Sequence, residues 1–189
     1  MKATGMIRKI DDLGRVVIPK EIRKTLRIRE GDPMEIYVEK NGEIILKRFA
    51  PLGDIVDELI CLADVLAKNT GFSVYITDTQ TVIAVNSKSK KGNLDRQITE
   101  ELLNVLEERA LYINKGDNEV KITEKDGPNS YLSQVISPII SDGDIIGSII
   151  FFSEGTRKNA TDTELKMLQV ATDFLSNQMW IGCKRCLQL

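Results

Sequence analysis

Polar and apolar positions alternate most clearly between Met34 and Lys47. Met34, Ile36 and Val38 alternate with Glu35, Tyr37 and Glu39, and Ile44 and Leu46 resume the pattern beyond Asn41-Gly42. This predicts two strands joined by a two-residue turn with positive φ at both central positions. Upstream, Ala3 to Ile10 reads as a strand, and Asp11-Asp12-Leu13-Gly14 carries turn chemistry, with Gly14 free to take positive φ. Stiff, β-branched Val16, Val17 and Ile18 then predict a strand from Arg15 to Ile18. Pro19 cannot donate to a ladder and suits the opening turn of a helix. In that helix Ile22 and Leu26 continue an apolar stripe from Ile18, while Lys20, Arg23, Lys24 and Arg27 fall on outward faces.

Four short strands and one helix of about two turns are too little to bury a core of their own, so residues 1–50 are expected to pair with a second copy. Phe49-Ala50-Pro51-Leu52-Gly53 reads as a junction that breaks regular structure. Asp54 is a candidate N-cap for a helix ending near Gly71, in which Ile55, Leu59, Leu62 and Leu66 form a seam for either a domain core or a coiled coil. Strands are expected at Phe72 to Thr77 and Thr81 to Asn86. A helix follows from Asp95 to Tyr112, with Ile98, Leu102, Val105 and Leu106 inward. Further strands are expected at Glu119 to Thr123, Tyr131 to Ile140 and Asp144 to Ser153, the last pair turning at Asp142-Gly143. Ile145 to Phe152 is apolar on both faces and should be a central strand. Thr161-Asp162-Thr163-Glu164 has the capping-box form and opens a last helix carrying Leu165, Leu168, Leu175 and Met179.

Charge sharpens this division. The 189-residue chain has a net charge of −2, yet residues 1–50 hold 12 Lys and Arg against 8 Asp and Glu, a surplus of +4. The remainder carries −6. A basic head on an acidic body suits a protein that touches a polyanion with one end only. No stretch approaches the roughly 20 apolar residues needed to span a bilayer, and no apolar signal core follows Met1, so a cytoplasmic protein without a membrane partner is expected. Histidine is absent, which excludes Ser-His and Cys-His nucleophile pairs and His-ligated metals, and no enzyme activity is expected. Cys183-Lys184-Arg185-Cys186 supplies two thiols but no further ligands. A shared site across two chains and a redox dithiol are alternatives, and a reduced, frayed tail is the expectation, with no metal or cofactor implied.

The run Gly14-Arg15-Val16-Val17-Ile18-Pro19-Lys20-Glu21-Ile22-Arg23, with Leu26, Ile28, Glu30-Gly31-Asp32 and Met34-Glu35-Ile36, resembles the AbrB family of swapped-hairpin, dimeric DNA-binding domains of bacterial transition-state regulators. The resemblance implies an N-terminal swapped-hairpin β-barrel dimer that presents Arg8, Lys9, Arg15, Arg23 and Lys24 to double-stranded DNA. Lys24 lacks the fork of an arginine and is expected to meet phosphate, leaving base reading to arginines. The same barrel occurs in antitoxins with a short toxin-binding tail. Here some 140 patterned residues follow, in an element order that resembles a GAF-type sensor domain.

The whole is therefore expected to be an α+β chain: head 1–50, linker 51–54, GAF-like antiparallel sheet with flanking helices over 55–182, and tail 183–189. Head and body together resemble regulators of gene expression in developing spores. That implies a homodimer or dimer of dimers and leaves room for a small-molecule effector. An effector pocket is expected between the sheet and the loops at 86–93 and 115–128.

Overall fold

The computed structural model describes residues 5–26, 28–87, 92, 94–114, 119–127, 130–153 and 158–186, the last seven as backbone only. The chain divides into two compact units, Met1–Phe49 and Ala50–Leu189. Among the described residues no helix is long and apolar enough to cross a membrane.

In the first unit, α1 (Lys20–Thr25) follows Pro19, and β1 (Met34–Val38) pairs antiparallel with β2 (Ile44–Arg48). The hairpin differs from expectation at its tip. Gly42 alone has positive φ, and the Glu39 N–H donates to the Glu43 carbonyl (2.9 Å) around Lys40-Asn41-Gly42. This is a three-residue loop closed by a glycine bulge, with the Asn41 side chain accepting from the Glu43 N–H (3.1 Å).

No strand forms over residues 5–10 or 15–18. Residues 3 and 4 of the first expected strand lie outside the described residues, as does Arg27. The apolar residues of these segments other than half-buried Ile18 stay outside: Ile7 is 89% exposed, Val17 71%. Across the hairpin, the paired residues Ile36 and Leu46, and Val38 and Ile44, present one apolar face to solvent. A single copy has no second layer with which to cover it.

The second unit begins with a 3-10 turn, Pro51–Ile55, in place of a linker. Leu52 is completely buried in the core, so residues 51–54 belong to this unit's packing, and Asp54 lies inside the turn instead of capping a helix. Next come α2 (Val56–Thr70), β3 (Ser73–Thr77), β4 (Val82–Asn86), α3 (Glu100–Glu107), β5 (Tyr112–Asn114), β6 (Ser133–Ser141), β7 (Asp144–Ser153) and α4 (Asp162–Cys186). The five strands form one antiparallel sheet in the order β4-β3-β7-β6-β5.

Helices α2 and α4 contribute to the core on one face, where Leu59, Leu66, Leu168 and Leu175 pack with Val74, Ile149 and Phe151. The 55, 59, 62, 66 seam thus packs into or against its own domain core. On the other face α3 and the 119–123 segment bury Leu102, Leu106, Val120 and Ile122 against Tyr75, Tyr131 and Phe152. Gly71 ends α2 in the left-handed region, and Asp142 and Gly143 (φ 52° and 86°) make the tight β6–β7 turn.

Two expected elements are corrected. The helix expected from Asp95 to Tyr112 is only α3, because Gln97 bridges to Thr81 and Ile98 to Thr123, which commits those residues to extended backbone. Thr99 then caps the helix, its hydroxyl accepting from the Leu102 N–H (3.1 Å), and Tyr112–Asn114 becomes the edge strand. The strand expected at Glu119 to Thr123 does not form. Instead the buried Gln134 side chain accepts from the Val120 N–H (2.8 Å) and donates to the Val120 carbonyl (2.6 Å), satisfying in place of a ladder. Helix α4 runs through Cys186, so the expected frayed tail at 183–186 is helical backbone, and its cysteine side chains lie outside the described residues.

Strand β7 is central and buried on both faces, and at Gly147 this is exacting. A Cβ there would fall well inside contact distance of the Thr77 carbonyl oxygen and 2.7 Å from Leu52 Cδ1. Gly147→Ala is therefore expected to cost about 3 kcal/mol and lower the melting temperature of this unit by roughly 10 °C in a calorimetric scan.

Candidate nucleic-acid interface

Asp11 organises the turn that carries Arg15. Its carboxylate accepts from the main-chain N–H groups of Leu13 (3.0 Å) and Arg15 (2.8 Å) and from Arg15 Nε (2.8 Å). The Asp11 N–H donates to the Arg15 carbonyl (3.1 Å), and Gly14, at φ 76°, donates to the Asp11 carbonyl (3.0 Å). The bond from the Arg15 N–H, then that from its guanidinium, hold the Asp11 carboxyl below the ordinary carboxylate range. Asp-Asp-x-Gly-Arg is thus a self-closing turn with a guanidinium at its exit. The pair is exposed, so Arg15 can exchange Asp11 for another anion at little cost.

Arg8 and Lys9 are exposed on the segment entering this turn. Lys24 is exposed on α1, as is Lys20. Arg23 differs from the outward placement expected for it. It is half-buried, with Nε shut off from solvent and without a hydrogen-bond partner. Its carbonyl accepts from the Ile28 N–H (2.8 Å), so the chain folds back over the end of α1 beside it.

Partners separate the cations of this unit into two sets. Arg48 is tied to the Asp32 carboxylate, which also accepts from the Arg29 N–H (2.8 Å), and Lys47 lies over the Tyr37 ring (4.9 Å to the centroid). These hold the hairpin together. The side chains of Arg8, Lys9, Lys20 and Lys24 make no hydrogen bond or ion pair among the described residues, and that of Arg15 has only its exposed aspartate. The sequence places Lys20 in the outward set and gives it no role; its exposed, unpaired side chain adds it to the candidate set. An unpaired set on one end of a +4 unit can neutralise phosphates, while the arginine fork can read base edges.

On the second unit, the sheet face expected to hold an effector is filled by Tyr75, Tyr131 and Phe152, their rings 4.5 to 6.4 Å apart between centroids. Burial and the neighbouring Tyr75 push the Tyr131 hydroxyl well above the usual phenol range. The loops named for that pocket lie partly outside the described residues. A groove of about 430 Å³ opens instead, lined by Gly92, residues 94–97 and residues 123–125.

The family described as stage V sporulation protein T C-terminal, transcription factor, matches residues 52–180, and that described as antidote-toxin recognition MazE, bacterial antitoxin, matches residues 7–52. The chain is 42% identical to stage V sporulation protein T of Bacillus subtilis (strain 168), over 95% of this chain and 99% of that one. It is 49% identical over 69 residues to the transition state regulatory protein AbrB of the same organism, covering 33% of this chain and 71% of that protein. The second GAF domain of DevS from Mycobacterium smegmatis has a similar fold, with a TM-score of 0.57 and 12% identity over 72% of this chain and 99% of that domain. So has the cofactor-binding GAF domain of the nutrient sensor CodY from Clostridium difficile, at a TM-score of 0.51 and 14% identity over 85% of this chain and 94% of that one. An AbrB-like head thus precedes a GAF-like antiparallel sheet, and the chain belongs to the stage V sporulation protein T family of transcription factors.

Proposed function

We propose that the protein is a homo-oligomeric, sequence-dependent DNA-binding regulator of sporulation genes. Two heads interlock so that Arg8, Lys9, Arg15, Arg23 and Lys24 of each meet one duplex. The observation that carries this is the hairpin face of Ile36, Val38, Ile44 and Leu46, four apolar side chains exposed in one copy of a unit that also exposes Arg8, Lys9, Arg15 and Lys24. Covering the face with a second head both completes a core and brings two cation sets together.

The body assembles these dimers into a dimer of dimers. Met167, Val170 and Phe174 recur along one exposed stripe of α4, which suits a second copy of the same helix. An effector bound to the body would act through that assembly. A second reading, an antitoxin-like autorepressor, draws on the match of residues 7–52 to an antitoxin family. Against it stands the length of the body, whose two apolar clusters need no toxin to fold.

The test is fluorescence anisotropy of the full chain on duplexes from sporulation promoters and on scrambled duplexes of equal length. At physiological salt, promoter affinity should exceed scrambled affinity by about 10³-fold or more. Equal binding to both would remove sequence dependence from the proposal, and no binding to either would remove DNA.

A further inference from the structure

The groove on the body is a built site. Its floor is Thr123, 1% exposed, whose main chain is fully used: it bridges to Ile98, its N–H donates to Asp126 Oδ2 (2.6 Å) and its carbonyl accepts from the Asp126 N–H (3.0 Å). The Thr123 hydroxyl is left buried without a partner, and so is Nε of Arg96, which lines the same groove.

Arg96 is aimed by a bulge. The Asp95 N–H donates to the Val82 carbonyl and the Val82 N–H donates to the Arg96 carbonyl, both at 2.9 Å, so two residues oppose one on the edge of β4. Asp95 takes φ 59° to allow it. The far end of the guanidinium lies over Gly92, where a Cβ would stand 3.1 Å from Nη2. The bulge and the bridge tie the groove to Val82 and Ile98 of the apolar cluster beneath, but no member of that cluster lines the groove.

We propose that this groove binds a small monocarboxylate, whose carboxylate accepts side-on from Arg96 Nε and Nη and from the Thr123 hydroxyl. An arginine presenting Nε and one Nη matches the two oxygens of a planar carboxylate. Two buried donors without acceptors are costly in the empty groove, and a carboxylate removes that cost. Asp95 and Glu124 on the lining balance Arg96 and Lys125, so the site has no surplus of positive charge for a dianion such as phosphate. Arg96 Nε and the Thr123 hydroxyl are closed to solvent in the empty groove, so binding requires the exposed lining side chains Leu94, Gln97, Glu124 and Lys125 to change rotamer and open a path to them. The groove is larger than acetate, lactate or pyruvate needs and leaves room for a substituent on the carboxylate. The inference deepens the effector reading and rests on it for its consequence, though binding can be measured without DNA.

Saturation-transfer difference NMR on the full chain with acetate, lactate and pyruvate, with ³¹P line width of inorganic phosphate as control, tests it. Lactate or pyruvate should saturate near about 1 mM, while phosphate stays sharp. Arg96→Gln and Thr123→Val should each weaken binding roughly tenfold or more. Arg96→Lys, which keeps the charge and loses the fork, should also weaken it, and all three should keep promoter affinity. Carboxylates that fail to saturate, phosphate that binds equally, or Arg96→Lys binding as wild type would each overturn the proposal. Failure of the promoter assay alone would sink the regulator reading and leave the carboxylate result standing.

Discussion

Ile36→Asp is expected to halve the sedimenting mass of the full chain and to abolish promoter binding. Ile36 faces Leu46 across the hairpin and is 67% exposed in one copy, so the single head tolerates a carboxylate there. In the interlocked pair the same position is buried twice, once from each chain. An uncompensated buried carboxylate costs about 3 kcal/mol or more, so two raise the dissociation constant of the head pair by roughly 10⁴-fold. In the proposed assembly the body interface remains, so a dimer is expected in place of a dimer of dimers. Hydrogen exchange should show residues 34–48 losing protection while β6 and β7 keep theirs. Unchanged mass with unchanged protection would mean that the hairpin face is not an interface.

Arg15→Ala should weaken promoter affinity roughly 100-fold, since two guanidiniums are lost per dimer and each base-reading arginine contributes about 1–3 kcal/mol. Arg15→Lys separates reading from charge. It should keep most affinity for scrambled duplex and lose the preference for the promoter, because an ammonium cannot span two acceptors of one base. Lys24→Ala, by contrast, should weaken both duplexes by the same modest factor. An Arg15→Ala chain that binds promoter as the wild type does would move base reading to Arg8 or Arg23. Circular dichroism should be unchanged in each case, because the Asp11 turn retains its main-chain bonds without the side chain.

What could be read beforehand follows from how local each cause is. The Asp-Asp-x-Gly turn, the glycine after α2, the Asp142-Gly143 hairpin and the doubly apolar β7 are set by residues a few positions apart, and the structure has all of them. Where elements were misjudged, a distant partner decided. Residues 95–98 carry a helical apolar spacing, but bridges to Thr81 and Thr123 pull them into extended backbone. Residues 119–123 alternate like a strand, yet at Val120 one glutamine side chain fourteen residues away takes the place of the ladder.

The cations were legible as types and spacings. Which of them are free was not, since Arg48 and Lys47 look the same in sequence as Lys20 and Lys24 and differ only in having Asp32 and Tyr37 beside them. The groove at Arg96 and Thr123 had no sequence signal, because neither residue belongs to a motif and the loop that joins them is placed by the sheet edge.

Salt dependence of promoter affinity reports on the paired basic face itself. Two heads that each set Lys9, Lys20 and Lys24 against phosphate should release about six counterions, so log K should fall by about 5 for a tenfold rise in potassium chloride. A slope near zero for the wild-type chain would contradict a paired basic face closing on a duplex.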